Sequence, residues 1–170
     1  LAMFALLSIA FKSYFLPLII LSALPFGFCG AVIGHFIFGK GLSMISYWGI
    51  GAACGVVIND NLVLVDYINR VRRSGKHLLE AVIEAGVVRF RPIVITSITT
   101  FVGLMPIMLE PSVQANFLKP AVISLTCGVV LCAPVTLILV PCLMVIGADI
   151  KEVLSRIPQV IKRQFSPTTT

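Results

Sequence analysis

Charge is what this sequence has least of. Of its 170 residues only 12% are Asp, Glu, Lys or Arg, while 58% are hydrophobic and the mean hydropathy is +1.05. A water-soluble domain carries about 25% charged residues. A soluble globular fold is therefore excluded, and the chain reads as a membrane protein. Acids are the scarcer sign, seven against thirteen basic residues. The five cysteines, Cys29, Cys54, Cys127, Cys132 and Cys142, all fall in apolar runs and form no CxxC pair, so zinc and dithiol signatures are missing. They read as small residues that face lipid or neighbouring helices. No GxGD motif occurs, and Asp60 and Asp66 lie on one predicted helix, which argues against the facing acids of an intramembrane aspartyl protease. The chain opens in the apolar run Leu1-Ala2-Met3-Phe4-Ala5-Leu6-Leu7, without an initiating Met or a basic n-region. A signal peptide is not expected, and the start reads as a cut through a longer protein.

What is present is a series of long apolar runs. Residues 1–11 read as the last part of a helix, broken at Lys12-Ser13-Tyr14. A span follows over about Phe15–Phe38, with a kink expected at Pro25. Gly27, Gly30 and Gly34 recur there at helical spacing and allow close backbone packing. After the Gly39-Lys40-Gly41 turn comes a span over Ser46–Ile68, with Tyr47 and Trp48 as interfacial anchors and Arg70, Arg72, Arg73 and Lys76 closing it. Ser74–Gly86 reads as a short amphipathic helix outside the bilayer, capped by Ser74 and ended by Gly86. Two further spans are expected, about Pro92–Leu109 and Leu118–Ile146, the second long enough to need tilt or kinking. The expected fold class is all-α: a polytopic transmembrane bundle over residues 1–147, with four complete spans, a truncated N-terminal one and the short cytoplasmic amphipathic helix. Residues 148–170 form a polar tail, with its Pro/Thr end expected to be disordered.

The net charge of +6 follows the membrane and need not imply nucleic acid. If the Arg70–Arg91 connection is cytoplasmic, alternating spans put Lys12 and the tail there too. Eleven of the thirteen basic residues then lie inside, with only Lys40 and Lys119 outside. The positive-inside rule favours that orientation, with a cytoplasmic C-terminus.

The chemistry centres on Gly55–Tyr67, an apolar stretch interrupted by Asn59-Asp60-Asn61. At a rise of about 1.5 Å per residue the span is roughly 34 Å long, which places Asp60 near mid-depth. A carboxylate there costs about 2.5–3.5 kcal/mol to keep ionised, so such acids face a protein interior or a water-filled path. Asp60 is expected to handle protons, with the amides of Asn59 and Asn61 able to bond either protonation state. The plain alternative is an interhelical polar cluster that only fixes packing. Asp66, seven residues after Asn59 and nearly on its face, is a possible stepping point, although pairing with Arg70 one turn on is the favoured role. Arg89 and the hydroxyls of Thr96, Ser97, Thr99 and Thr100 are the remaining candidates. Their alternatives are headgroup contact for the arginine and backbone bonding for the hydroxyls. No metal site and no cofactor is expected.

The Gly55–Tyr67 run, the Arg70–Arg73 cluster, Leu79-Glu80-Ala81, Arg89-Phe90-Arg91-Pro92-Ile93 with Thr96-Ser97, and Gly103-Leu104-Met105-Pro106 occur in this order without large gaps. Together they resemble the C-terminal membrane half of a resistance–nodulation–division (RND) efflux permease, over about residues 1–147. The resemblance implies a twelve-helix subunit of the bacterial inner membrane, working as a homotrimer with a periplasmic adaptor and an outer-membrane channel, and driven by inward proton flow. It implies that the N-terminal half of the same permease is a partner, with the bilayer around both. In the best-known drug pumps of that family, paired acids on the fourth helix are answered by a lysine on the tenth. Here that position is Asn59, with Asp60 beside it. By similarity Arg89 and Thr96 match relay positions on the eleventh helix, and Thr100 and Asp66 are secondary candidates. The competing reading is a helical assembly or scaffold subunit without transport.

Overall fold

The computed structural model describes residues 2–164, with side chains through residue 150. Among the described residues every regular element is an α-helix: α1 (Ala2–Phe11), α2 (Phe15–Leu21), α3 (Leu24–Ile37), α4 (Met44–Arg73), α5 (Leu78–Leu109) and α6 (Val113–Gln164). Four segments are long and apolar enough to cross a bilayer: Phe15–Ile37, Met44–Arg73, Leu78–Leu109 and Val113–Ile150. The four spans are as expected, and α1 is a shorter apolar helix before them. In lipid every backbone polar group needs an internal partner, so hydropathy alone delimits such helices well.

The breaks have local causes. Lys12, with φ of 49°, ends α1, and the Ser13 hydroxyl accepts the Phe15 N–H at 3.3 Å. The second span is interrupted at Ser22–Ala23, just before Pro25, which has no N–H to give the Leu21 carbonyl. Ser22 Oγ donates to the Ile19 carbonyl at 2.6 Å across this break. Gly39, with φ of +60°, turns the chain into α4, where Ser43 and Ser46 form a reciprocal capping box. Gly75, with φ of +93°, follows the end of α4.

One expected element differs. Ser74–Gly86 is not a separate helix: Ser74 closes α4, and α5 starts at Leu78 and runs on through Gly86 and Pro92 to Leu109. Ala81 and Ala85 are fully buried against Leu64, Val65 and Ile68 of α4, so packing holds the segment helical where glycine alone signals an end. Pro92 costs only the bond to the Val88 carbonyl, a loss that membrane helices accommodate. Helix α6 likewise continues through Pro134 and Pro141 and past Asp149. The Pro/Thr end, residues 165–170, lies outside the described residues.

Helix α6 is the central strut, packed by α3, α4 and α5. Its seam with α3 is built from small residues. A Cβ added at Gly30 would stand 2.8 Å from the Cys127 carbonyl oxygen and 3.1 Å from the Gly128 Cα, and one at Gly34 would run into the Cys127 side chain. The glycine row thus serves close helix approach, as its spacing predicts. On the other side of α6, Gly49 of α4 lies against the Ala121 backbone and Ala53 against Gly128, so α4 and α6 run parallel. A second, bulkier core of Leu7, Ile20, Leu64, Ile68, Val140 and Met144 fills the end of the bundle that carries the arginines. Helix α5 is the least covered span, with Ile98, Val102 and Leu109 among its exposed apolar residues.

Candidate functional site

The three polar residues at the middle of α4 have three different environments. Successive helix positions are rotated by about 100°, so consecutive side chains cannot share one face. Asn59 is exposed, Asp60 is half-buried, and Asn61 is fully buried. Both amide atoms of Asn61 are buried without a hydrogen-bond partner among the described residues. A buried amide left unpaired costs about 1–3 kcal/mol, so Asn61 is held there by packing. Asp60 makes no hydrogen bond or ion pair to another described residue.

Asp66 takes the simpler of its two expected roles. Its Oδ2 accepts from Arg70 Nη2 at 3.2 Å on the helix surface, with both side chains more than half exposed. Exposed pairs of this type contribute about 0–1 kcal/mol. The hydroxyls of α5 also bond their own backbone: Thr96 to the Pro92 carbonyl at 2.9 Å, Ser97 to Ile93 at 3.0 Å, and Thr99 to Ile95 at 2.9 Å. Thr96 remains half-buried and so does Thr100, one turn beyond on the same face.

Arg89 has a defined place. Its guanidinium carbon lies 5.3 Å from the centre of the Tyr67 ring, in cation–π range, and its Nε is buried without a hydrogen-bond partner among the described residues. Tyr67 in turn donates its hydroxyl to Glu84 Oε1 at 3.3 Å, and Lys76 Nζ donates to Glu84 Oε2 at 2.6 Å. The hydrogen bond to Glu84, reinforced by its charge, holds the Lys76 ammonium above the ordinary lysine range. A chain Lys76–Glu84–Tyr67–Arg89 therefore spans the turn between α4 and α5 and fixes the arginine.

The helical repeat relates this chain to Asp60. Tyr67 is seven residues beyond Asp60 on α4, and Thr96 is seven beyond Arg89 on the antiparallel α5. Seven residues are nearly two turns, about 10 Å along the axis, and return to almost the same face. Because Arg89 meets Tyr67, Thr96 falls at roughly the level of Asp60. The repeat sets the acid and the threonine at similar depth on their helices, and no hydrogen bond or ion pair joins acid, arginine and threonine among the described residues.

A model of the AcrB/AcrD/AcrF family matches residues 1–148. The chain belongs to this family. It is 32% identical over 139 residues to the multidrug resistance protein MdtC of Proteus mirabilis (strain HI4320), a match covering 81% of this chain and 14% of that protein. The chain therefore spans about a seventh of the length of that relative. These findings agree with the RND resemblance read from the motifs, and membership makes the chain a piece of multi-pass transporter architecture.

Two clusters escaped the sequence reading. The Lys76–Glu84–Tyr67 chain links residues 8 and 17 positions apart and depends on the geometry of a turn. The second is His35, buried at the end of α3. Its Nδ1 lies 2.9 Å from the Ala31 carbonyl, which can only accept, so that nitrogen carries the proton. Its Nε2 lies 2.9 Å from the Ser46 hydroxyl, which also accepts the Ser43 N–H at 3.0 Å. His35 thereby ties α3 to the cap of α4 at the end opposite the arginines. A histidine in an apolar run, followed by two serines after a glycine turn, was the only signal available.

Proposed function

We propose that this chain is membrane machinery of a proton-driven efflux permease, and that Asp60 carries the proton whose movement is coupled to substrate export. The observation that supports this reading best is the isolated acid at the middle of α4, one helical repeat from the Tyr67–Arg89 contact. In this reading Asp60 binds and releases a proton, Asn59 and Asn61 offer hydrogen bonds to either form, and Arg89 supplies the positive field toward which the ionised acid turns. Thr96 is the neighbouring hydroxyl, and Asp66 and Thr100 are secondary stations. The other half of the permease supplies the facing helices. The assembly is a homotrimer in the bacterial inner membrane, joined by a periplasmic adaptor and an outer-membrane channel.

The proposed orientation places the α4–α5 turn and the C-terminus in the cytoplasm, which the distribution of basic residues favours. Reporter fusions at Lys76 and after Arg163 of the full-length permease are both expected to report cytoplasm, and either one appearing outside overturns this topology.

Arg89 separates the relay from simple anchoring. Arg89→Lys keeps the positive charge but loses the planar group that lies over Tyr67. Normal membrane insertion with export reduced severalfold is the expected result. Full export in that variant would return Arg89 to a headgroup or topological role.

A further inference from the structure

At the arginine-bearing end, the start of α2, the end of α4 and the Met144–Ile150 stretch of α6 line, with Leu78, a cavity of about 450 Å³. Its walls are mostly apolar, with Phe15, Ile19 and Met144 among them, while Ser13, Asn69 and Arg72 bring polar groups to it. Among the described residues, Arg72 is the one charged residue in the lining. Its neighbour Arg70 is engaged by Asp66 and Lys76 by Glu84, but Arg72 makes no ion pair among the described residues.

We propose that this cavity is a binding site for an anionic phospholipid. The Arg72 guanidinium takes the phosphodiester, with Asn69 and Ser13 as further hydrogen-bonding groups, and the acyl region lies along Phe15, Ile19 and Met144. Three features select this occupant. The site lies where the α4 span ends in basic residues, at headgroup level, whichever leaflet that is. Basic pockets between membrane helices bind anionic headgroups through such residues. The apolar walls then require a ligand with chains, because free inorganic phosphate leaves them uncovered. Arginine also suits the ligand, since its planar fork pairs with phosphate oxygens through two parallel bonds. Occupancy brackets the end of α4 against α2 and α6, so the lipid acts as a strut at one end of the helix that carries Asp60.

The test uses the full-length permease in detergent, with lipid retention read by native mass spectrometry. Phosphatidylglycerol is expected to stay bound at concentrations where phosphatidylcholine does not, and millimolar inorganic phosphate should not displace it. Arg72→Gln should weaken retention about tenfold or more, charge-assisted bonds being roughly twice as strong as neutral ones. Arg73→Gln, next in sequence but outside the lining, should leave it unchanged. Arg72 is exposed, so its replacement is not expected to disturb folding, and unchanged elution of the assembled permease checks this. No retained lipid, equal retention of phosphatidylcholine, or an equal loss in the Arg72 and Arg73 variants would each overturn the site.

Discussion

Asp60→Asn in the full-length permease is expected to insert and assemble normally yet lose most proton-driven export. Asp60 is the one acid deep within the apolar spans. Glu80 and Glu84 lie in the first turns of α5, Glu110 caps its far end, Asp66 is paired with Arg70 on the surface, and Asp149 lies at the very end of the last apolar stretch with Glu152 beyond it. The amide keeps the shape and much of the hydrogen-bonding capacity but fixes a neutral group, so only the proton cycle is removed. The half-buried setting of the side chain suits that role: it is close enough to the interior to be shielded and open enough to meet a facing helix. The measurement is export at matched expression across a range of external pH. Wild-type rates throughout would make Asp60 structural and place the relay elsewhere. This outcome is independent of the lipid site, because Arg72 and Asp60 are separated by three turns of α4.

The second large effect falls on folding and comes from Gly49→Ala. The added methyl would run into the carbonyl of Ala121 on α6, and backbone cannot step aside as a flexible side chain can. The helices must separate, with an overpacking cost of about 1–3 kcal/mol. Gly51→Ala is the matched comparison. It lies two residues away on the same helix, with nothing within 4 Å of its added Cβ. There the substitution only relieves the helix penalty of glycine, about 0.5–1 kcal/mol in the stabilising direction. The thermal midpoint of the detergent-solubilised permease should therefore fall for Gly49→Ala and hold or rise for Gly51→Ala. Equal midpoints for the two would mean that the α4–α6 seam is looser than the structure has it.

The contrast between these glycines shows where sequence reasoning reached its limit. Both belong to the small, closely packable first half of α4, and nothing in the spacing separates them. Which one touches α6 depends on the rotation of α4 about its axis, and that rotation is set by packing along the whole helix. The same rotation sorts Asn59, Asp60 and Asn61 into exposed, half-buried and buried positions. It also decided that the fully buried polar group is Asn61, not the acid that the sequence singles out.

The sequence by itself determined the membrane class, the number and approximate limits of the spans, the break at Lys12, the glycine face of α3 and the family. Each of these follows from a one-dimensional property: the length of an apolar run, a residue that cannot continue a helix, a repeat at helical spacing, or a series of motifs in order. Only the tertiary structure decided that α5 runs unbroken from Leu78 to Leu109, because the burial of Ala81 and Ala85 outweighs the local signals of Gly86 and Pro92. It also decided that Arg89 is held over Tyr67, that Glu84 bridges Tyr67 and Lys76, and that His35 joins α3 to Ser46. Those contacts join side chains from different helices or across a turn, and a pattern along the chain does not carry the distance between two helices.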